Sequence, residues 1–222
     1  MKREIIITED GSHSISLEKT NIVFHSRYGA VQESQHIYID AGLKQILHAK
    51  PCIRIFELGF GTGLNALLAF INADNNGQFI YYETIEAFPL EKHLFENLNY
   101  CENLNRSDLK PYFLQLHLCE WNRIIPIGDF FQFKKINTAL LEYRFESTFD
   151  IIFYDAFAPN AQPELWTKEV FGKLFAGLSQ NGLLLTYCSK GIVQRAMRTA
   201  GFAVDRLPGP SHKREIIRAE KR

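Results

Sequence analysis

Three carboxylates and a run of alternating glycines are the residues of this chain best spaced to do chemistry. The stretch 53–73 reads IRIFELGFGTGLNALLAFINA. Glu57 stands two residues before Gly59, which is followed by Phe60, Gly61, Thr62, Gly63, Leu64 and Asn65. Glycines lack the Cβ that would keep backbone away from a ligand, and a helix that follows them offers free N–H groups at its start. Such a loop suits a nucleotide-type ligand. The dinucleotide fingerprint G-x-G-x-x-G is not met, because its sixth position is Leu64. NAD is therefore the runner-up, and a turn that binds nothing is the bland alternative. Glu86 comes 23 residues after Gly63 and ends an apolar run, a place from which a carboxylate can hold ribose hydroxyls. The alternative is to cap the helix that Pro89 opens; the strand end and the spacing together favour the ribose role. Asp155 ends the run Phe149-Asp150-Ile151-Ile152-Phe153-Tyr154. A carboxylate there can take a proton from a bound acceptor; its plain alternative is to cap the following loop.

These residues need strands that end together. The apolar runs 53–58, 78–86, 150–154 and 183–189 read as buried strands of a mostly parallel sheet. In such sheets ligands bind beyond the carboxyl ends of the strands, so the glycine loop, Glu86 and Asp155 are expected to share one crevice. Helices are expected at 64–73, 89–99, 109–121, 137–143, 164–178 and 192–200, the last capped by Gly201. Asp10-Gly11 joins two β-type runs, 3–8 and 13–17, as a hairpin. Gly128-Asp129 joins 124–127 to 130–133 in the same way, which makes Asp129 a turn residue. Residues 202–207 and 215–218 suit a closing antiparallel pair. Residues 1–50 form an N-terminal extension and cap, the hairpin followed by a weakly periodic substrate-side segment from Asn21 and a short helix at 41–48. Within it Arg27-Tyr28-Gly29 and Glu33-Ser34-Gln35-His36 could cover the site or be an ordinary surface connection. They precede one α/β domain, 51–222, of Rossmann-like character.

Composition narrows the class. The chain has 222 residues, 46% hydrophobic, with 18 Phe and 9 Tyr, enough for a substantial core. No apolar run approaches the roughly 20 residues of a membrane helix, and the N-terminus lacks a signal-peptide core. Four widely spaced cysteines and seven scattered histidines make no metal motif, so no metal and reduced thiols in a cytoplasmic setting are expected. Formal charge is zero, but from Lys190 onward nine Lys/Arg face three Asp/Glu, which puts about +6 on that end. Such a face can meet phosphates or simply be solvated.

The pattern E-x-G-x-G-x-G resembles motif I of the class I S-adenosylmethionine methyltransferases, in which Glu57 would face the cationic amino-acid end of the donor. The resemblance becomes specific with ELGFGTGLN, then Glu86 with Phe88-Pro89, DAFAPNAQPELW, Lys213-Arg214-Glu215 and, near the N-terminus, YGAVQES. In that order they resemble the methyltransferase domain of the bacterial bifunctional enzymes that make 5-methylaminomethyl-2-thiouridine in tRNA. The likeness covers nearly the whole chain, and DAFAP followed by P-x-x-W is its most specific part. It implies a stand-alone, S-adenosylmethionine-dependent methylation of the 5-aminomethyl group of a wobble uridine. The FAD-dependent oxidase domain of those enzymes would be absent, and a separate oxidase is left open as the source of substrate.

The implied cofactor residues are Glu57, Gly59, Phe60, Gly61, Thr62, Gly63, Asn65, Glu86 and Asp155. Asp155 is the expected catalytic base, since a lysine-like ammonium with a pKa of about 10.4 must lose a proton before its nitrogen can attack. Tyr28, Phe157 and Trp166 are candidates to stack on the base, with Pro159 stiffening the loop. Lys190, Lys213 and Arg214 are candidates for phosphate contacts. One departure stands out: the third strand, near Phe131-Gln132-Phe133-Lys134-Lys135-Ile136, ends without the acidic residue that many such enzymes place near adenine. Three rivals remain: an aminopropyltransferase of the same fold, a non-catalytic RNA-binding module and a small-molecule methyltransferase.

Overall fold

A computed structural model describes residues 2–222. Its centre is an eight-stranded sheet in the order β5-β6-β4-β3-β7-β8-β10-β9. The strands are β3 (Cys52–Leu58), β4 (Phe79–Ile85), β5 (Ile125–Ile127), β6 (Phe131–Ile136), β7 (Phe149–Tyr154), β8 (Leu178–Thr186), β9 (Ala203–Pro208) and β10 (Glu215–Glu220). β6, β4, β3, β7 and β8 run parallel, while β5, β10 and β9 are antiparallel to their neighbours. This is the expected Rossmann-like architecture, closing pair included. β1 (Arg3–Ile7) and β2 (His13–Leu17) form the separate hairpin read from Asp10-Gly11.

Strand order fixes where the site must lie. From β3 the chain moves outwards through β4 to β6, then returns to lay β7 on the other side of β3. Ligands bind at such a reversal. Register does the rest. Leu58 pairs with Ile85 on one side and Tyr154 on the other. The next residue of each strand is therefore Glu86, Gly59 and Asp155, in a row at one edge. Helix α2 (Leu64–Asn76) starts from the glycine loop and ends at Gly77, which takes φ +59°. It is buried almost all round, between the sheet and the helices outside it, as its run of Leu, Ala and Phe requires.

Several expected helices are shorter or elsewhere, each for a local reason. Residues 89–99 give only α3 (Lys92–Phe95). Past it, Asn97 donates to the His93 carbonyl at 2.7 Å, taking up an acceptor at the helix end. Asn99 accepts the His13 N–H at 2.8 Å and donates to the Gly11 carbonyl at 2.9 Å, tying this segment to the hairpin tip. Residues 137–143 are turns, held by Asn137 donating to the Glu86 carbonyl at 2.7 Å. The helix expected at 41–48 is instead a single tight turn at Leu43–Gln45. The weakly periodic segment before it carries the real helix: α1 (Ala30–Ser34) runs on into a π-helical segment, Gln35–Asp40. There Ile37, Tyr38 and Ile39 are buried in succession, with no polar position between them to mark an exposed face. The remaining helices are α4 (Tyr100–Asn103), α5 (Lys110–Leu118), α6 (Lys168–Gly177) and α7 (Gly191–Thr199). No helix of the described residues is long and apolar enough to cross a membrane.

Candidate active site

At the carboxyl ends of β3, β4 and β7 lies a cavity of about 950 Å³. That is the upper end of the roughly 300–1,000 Å³ usual for small-molecule sites, room for a nucleoside-sized ligand and an acceptor together. Its walls bring Gly59, Phe60, Gly61, Thr62, Asn65, Glu86, Asp155 and Phe157 together. Gly59, Gly61 and Gly63 have φ of +88°, +50° and +75°, all in the region that favours glycine. A Cβ on Gly59 would sit 3.2 Å from the Asp155 carbonyl, and one on Gly63 would sit 2.8 Å from His117 Nε2. Loop and strand ends are thus in backbone contact, with no space for a side chain between them.

Glu86 is clasped from two sides. Its carboxylate accepts the Gly61 N–H at 2.9 Å and the Phe88 N–H at 2.7 Å. One side chain thus ties the middle of the glycine loop to the turn after β4, both at the cavity wall. Phe88, 70% exposed, stands at the rim. The wall beyond β6 is made by Thr138, Ala139, Leu140 and Leu141. Lys135 is turned away: its ammonium is buried against the His117 carbonyl and lies over the Trp121 ring. The wall therefore offers no acidic side chain where many such folds have one.

Asp155 borders the cavity from below. Asn65 donates to its Oδ2 at 2.9 Å, and the Tyr38 hydroxyl faces it. Burial lifts the Asp155 carboxyl to about 6, against the opposing pull of the Tyr38 hydroxyl. Around neutrality the group is ionised yet close to taking a proton, which is the condition a general base needs. Glu57 is placed differently. It is 0% exposed, sealed behind the loop, and does not line the cavity. Burial pushes its carboxyl up to about 8, opposed by the hydroxyl of Thr84. It stays protonated at neutral pH and touches the site only through the Asn65 side of the cluster.

The structure separates the residues named for base and phosphate contacts. Phe157 lines the cavity and packs edge-on against Phe24, with ring centroids 5.2 Å apart. Trp166 is buried and supports it from outside, donating from Nε1 to the Phe157 carbonyl at 2.8 Å. Pro159 lies in the same loop, outside the cavity lining. Tyr28 sits away from the cavity, stacked on His212 at 4.0 Å beside a second, shallow depression. Lys190 is exposed and bonds Asn160 at 2.9 Å, on the back of the cavity loop. Arg214 is exposed. Lys213 points inward and pairs with Glu33.

Sequence reading expected a cap from the first 50 residues, at 27–29 and 33–36, and missed the residues that line the cavity. Arg3, Phe24 and His25 of the first 50 residues line the cavity. Arg3 clamps the hairpin over the site by donating to the Phe88 and Pro89 carbonyls, both at 2.8 Å. His25 lies between Ser14 Oγ at 3.1 Å and Thr62 Oγ1 at 3.5 Å, and burial depresses it to about 4, so it is neutral. The signal for Glu33 was present in YGAVQES. Tyr38 had none, being one aromatic in an aperiodic stretch.

Comparison with known proteins agrees with this geometry. A family model described as S-adenosyl-L-methionine-dependent methyltransferase matches residues 91–222. The tRNA 5-methylaminomethyl-2-thiouridine biosynthesis bifunctional protein MnmC of Pseudomonas fluorescens (strain Pf0-1) is 30% identical over 209 residues, 89% of this chain and 32% of that protein. The protein of the same description from Campylobacter hominis is 28% identical, covering 84% of this chain and 28% of its own length. The chain thus spans about a third of the length of these curated relatives. Among solved structures, MNMC2 from Aquifex aeolicus superposes over 100% of this chain and 70% of its own, with a TM-score of 0.81 at 20% identity. Spermidine synthase from Thermotoga maritima gives 0.58 at 15%, over 99% and 69%. At those identities the two structures speak for the fold alone.

Proposed function

Since the chain belongs to the S-adenosyl-L-methionine-dependent methyltransferase family, we propose that it methylates the 5-aminomethyl group of a wobble uridine, with or without a 2-thio group, in tRNA. The product would be 5-methylaminomethyl-(2-thio)uridine. The observation that carries this reading is Asp155: a half-buried, ionisable carboxylate that lines the cavity beside the glycine loop, where an amine acceptor needs a base. The relatives' descriptions support the choice of acceptor.

The residues present fit the cofactor. The three positive-φ glycines hold the loop in a conformation that other residues rarely take, Gly59 and Gly61 line the cavity with bare backbone, and Glu86 has acceptor capacity to spare for ribose hydroxyls. Gly59, Gly61, Thr62, Asn65 and Glu86 would hold it. When bound, S-adenosyl-L-methionine supplies an electrophilic methyl group. The chain supplies the rest. Asp155, kept in place by Asn65, accepts the proton that the acceptor ammonium must lose, and so frees the lone pair for attack. Holding the acceptor nitrogen at roughly 3–3.5 Å from the methyl carbon is the other requirement. Phe157, backed by Trp166, and Phe24 form the apolar wall against which a uridine ring can lie. The hairpin roof, held by Arg3, keeps bulk water out, which strengthens the charge interactions inside.

The test is direct. Purified protein is incubated with the cofactor and tRNA carrying 5-aminomethyl-2-thiouridine, and nucleosides are analysed by mass. A gain of one methyl at that nucleoside, with S-adenosylhomocysteine as co-product, is expected. No transfer to this tRNA, together with turnover of a free polyamine or release of methylthioadenosine, would replace the reading with an aminopropyltransferase or small-molecule enzyme.

A further inference from the structure

Two stretches that the proposed chemistry leaves unused meet behind Asp155. Glu33 lies on α1 and is nearly buried; its carboxylate accepts the Ser26 N–H at 2.8 Å. Lys213 comes from the loop between β9 and β10, 180 residues away in sequence, and its ammonium ion-pairs with Glu33. The same ammonium lies 4.5 Å from the centroid of the Tyr187 ring. Tyr187 donates its hydroxyl to the carbonyl of Ala156, the residue after Asp155, at 2.9 Å. With its side chain only 26% exposed, Lys213 is a poor partner for an external phosphate.

We infer that the Glu33–Lys213 ion pair is a positioning pair for the base, balancing the charge around Asp155 and so governing how readily it takes the acceptor's proton. This deepens the function proposed above and rests on Asp155 acting as that base. The groups around Asp155 are Asn65 from α2, Glu57 from β3, Tyr82 from β4, Tyr38 from the π-helical segment, Tyr187 after β8, Glu33 from α1 and Lys213. Glu86, beyond Gly59 in the same row of strand ends, is held by the Gly61 and Phe88 N–H groups. Burial raises the phenols of Tyr38, Tyr82 and Tyr187 and keeps them neutral. Glu57 stays protonated until about pH 8. Below that pH the ion pair is thus the charged pair that Asp155 faces among the described residues. Its members act in opposite senses: Glu33 favours the protonated acid and Lys213 the carboxylate.

Opposite senses make the pair testable. The titration of Asp155 is followed by ¹³C NMR of aspartate-labelled protein, with the resonance assigned through Asp155→Asn; this needs no substrate. Lys213→Met leaves Glu33 unbalanced and is expected to move the Asp155 midpoint up, by about one pH unit. Glu33→Gln keeps the acceptor for Ser26 but leaves Lys213 unbalanced, and is expected to move the midpoint down by a similar amount. The double variant should return towards the wild-type midpoint, an outcome that accumulated structural damage does not give. If Lys213→Met does not fold, Lys213→Gln takes its place. The acid limb of kcat/KM, measured on aminomethylated tRNA, should follow the same shifts. Midpoints that stay put, or move the same way in both single variants, would overturn the inference. Wild-type protein that fails to methylate the tRNA while the NMR shifts appear as described would overturn the proposed acceptor and leave the electrostatic pair standing.

Discussion

At the scale of single residues, the site is an arrangement of carboxylates whose surroundings set different roles. Asp155 is ionised near neutrality, Glu57 is not, and Glu86 is spent partly on the loop. Asp155→Asn keeps the volume beside Asn65 but cannot accept a proton. Methyl transfer is expected to fall by about 10²–10⁴, with the cofactor dissociation constant, read by calorimetry, changing little. In the wild type, kcat/KM should drop below pH 6, because the base must be deprotonated to work. Glu57 makes a prediction about stability. Its folded-state pKa of about 8 lies above the ordinary value. The folded state therefore binds more protons than the unfolded state between those two values, so this group's contribution to stability falls as pH rises through that window. Glu57→Gln cannot ionise and should gain stability relative to wild type as pH is raised from 6 to 9. Parallel denaturation curves for the two proteins across that range would remove the protonated Glu57 from the account.

At the scale of elements, the strand–loop–helix unit and the strand-end carboxylates were legible because their signals are local. Glycines report a backbone need, and a run of apolar residues ending in an acid reports a buried strand edge. A cap was expected from the first 50 residues, but its contacts were not legible, because they join residues distant in sequence, such as Arg3 with Phe88 and Phe24 with Phe157. The helix 30–40 escaped notice because it is a single α-turn or so running on into a π-helical segment, so no α-helical period is sustained along it. Lys213 was read as a surface cation because charge is countable in a sequence and direction is not. The elements also predict. Gly63→Ala would put a Cβ 2.8 Å from His117 Nε2 at a φ of +75°. His117 is stacked on Phe95 at 4.3 Å and bonded to the Thr62 carbonyl at 3.0 Å, so it has little room to yield. A loss of about 2 kcal/mol or more is expected, seen as a lower Tm together with weaker cofactor binding. Trp166→Phe keeps an aromatic ring in the core but gives up volume there and loses the bond to the Phe157 carbonyl. Transfer should slow by up to about tenfold, as loss of one net hydrogen bond of roughly 1 kcal/mol implies. Unchanged turnover would show that the loop holds Phe157 without it.

At the scale of the molecule, charge is segregated, and the structure decides which part of it can meet a polyanion. Of the basic residues from Lys190 onward, Arg206, Lys213 and Arg222 are engaged in ion pairs, and Lys221 caps the Phe175 and Leu178 carbonyls. Arg218 is half-buried on β10, while Arg195 and Arg198 on α7 and Arg214 are exposed, Arg198 with long bonds to Gln194 and the Val204 carbonyl that a phosphate can replace. α7 follows β8 and so begins at the cavity edge of the sheet, where Lys190 already touches the cavity loop through Asn160. A tRNA whose wobble base enters the cavity would lay its neighbouring phosphates on this side. Neutralising a phosphate releases counterions, so affinity should fall steeply with salt, and the slope of log K against log salt reports how many phosphates are neutralised. Replacing Arg195, Arg198 and Arg214 together by Ala should weaken tRNA binding and flatten that slope by roughly one for each phosphate no longer neutralised. Cofactor affinity should be unaffected, because none of the three lines the cavity. Lys213→Met should leave the slope alone, since that ammonium is already bound to Glu33. If Lys213→Met flattens the slope and the arginine triple variant does not, the polyanion is held by the strap between β9 and β10, and the ion pair behind Asp155 opens when tRNA binds.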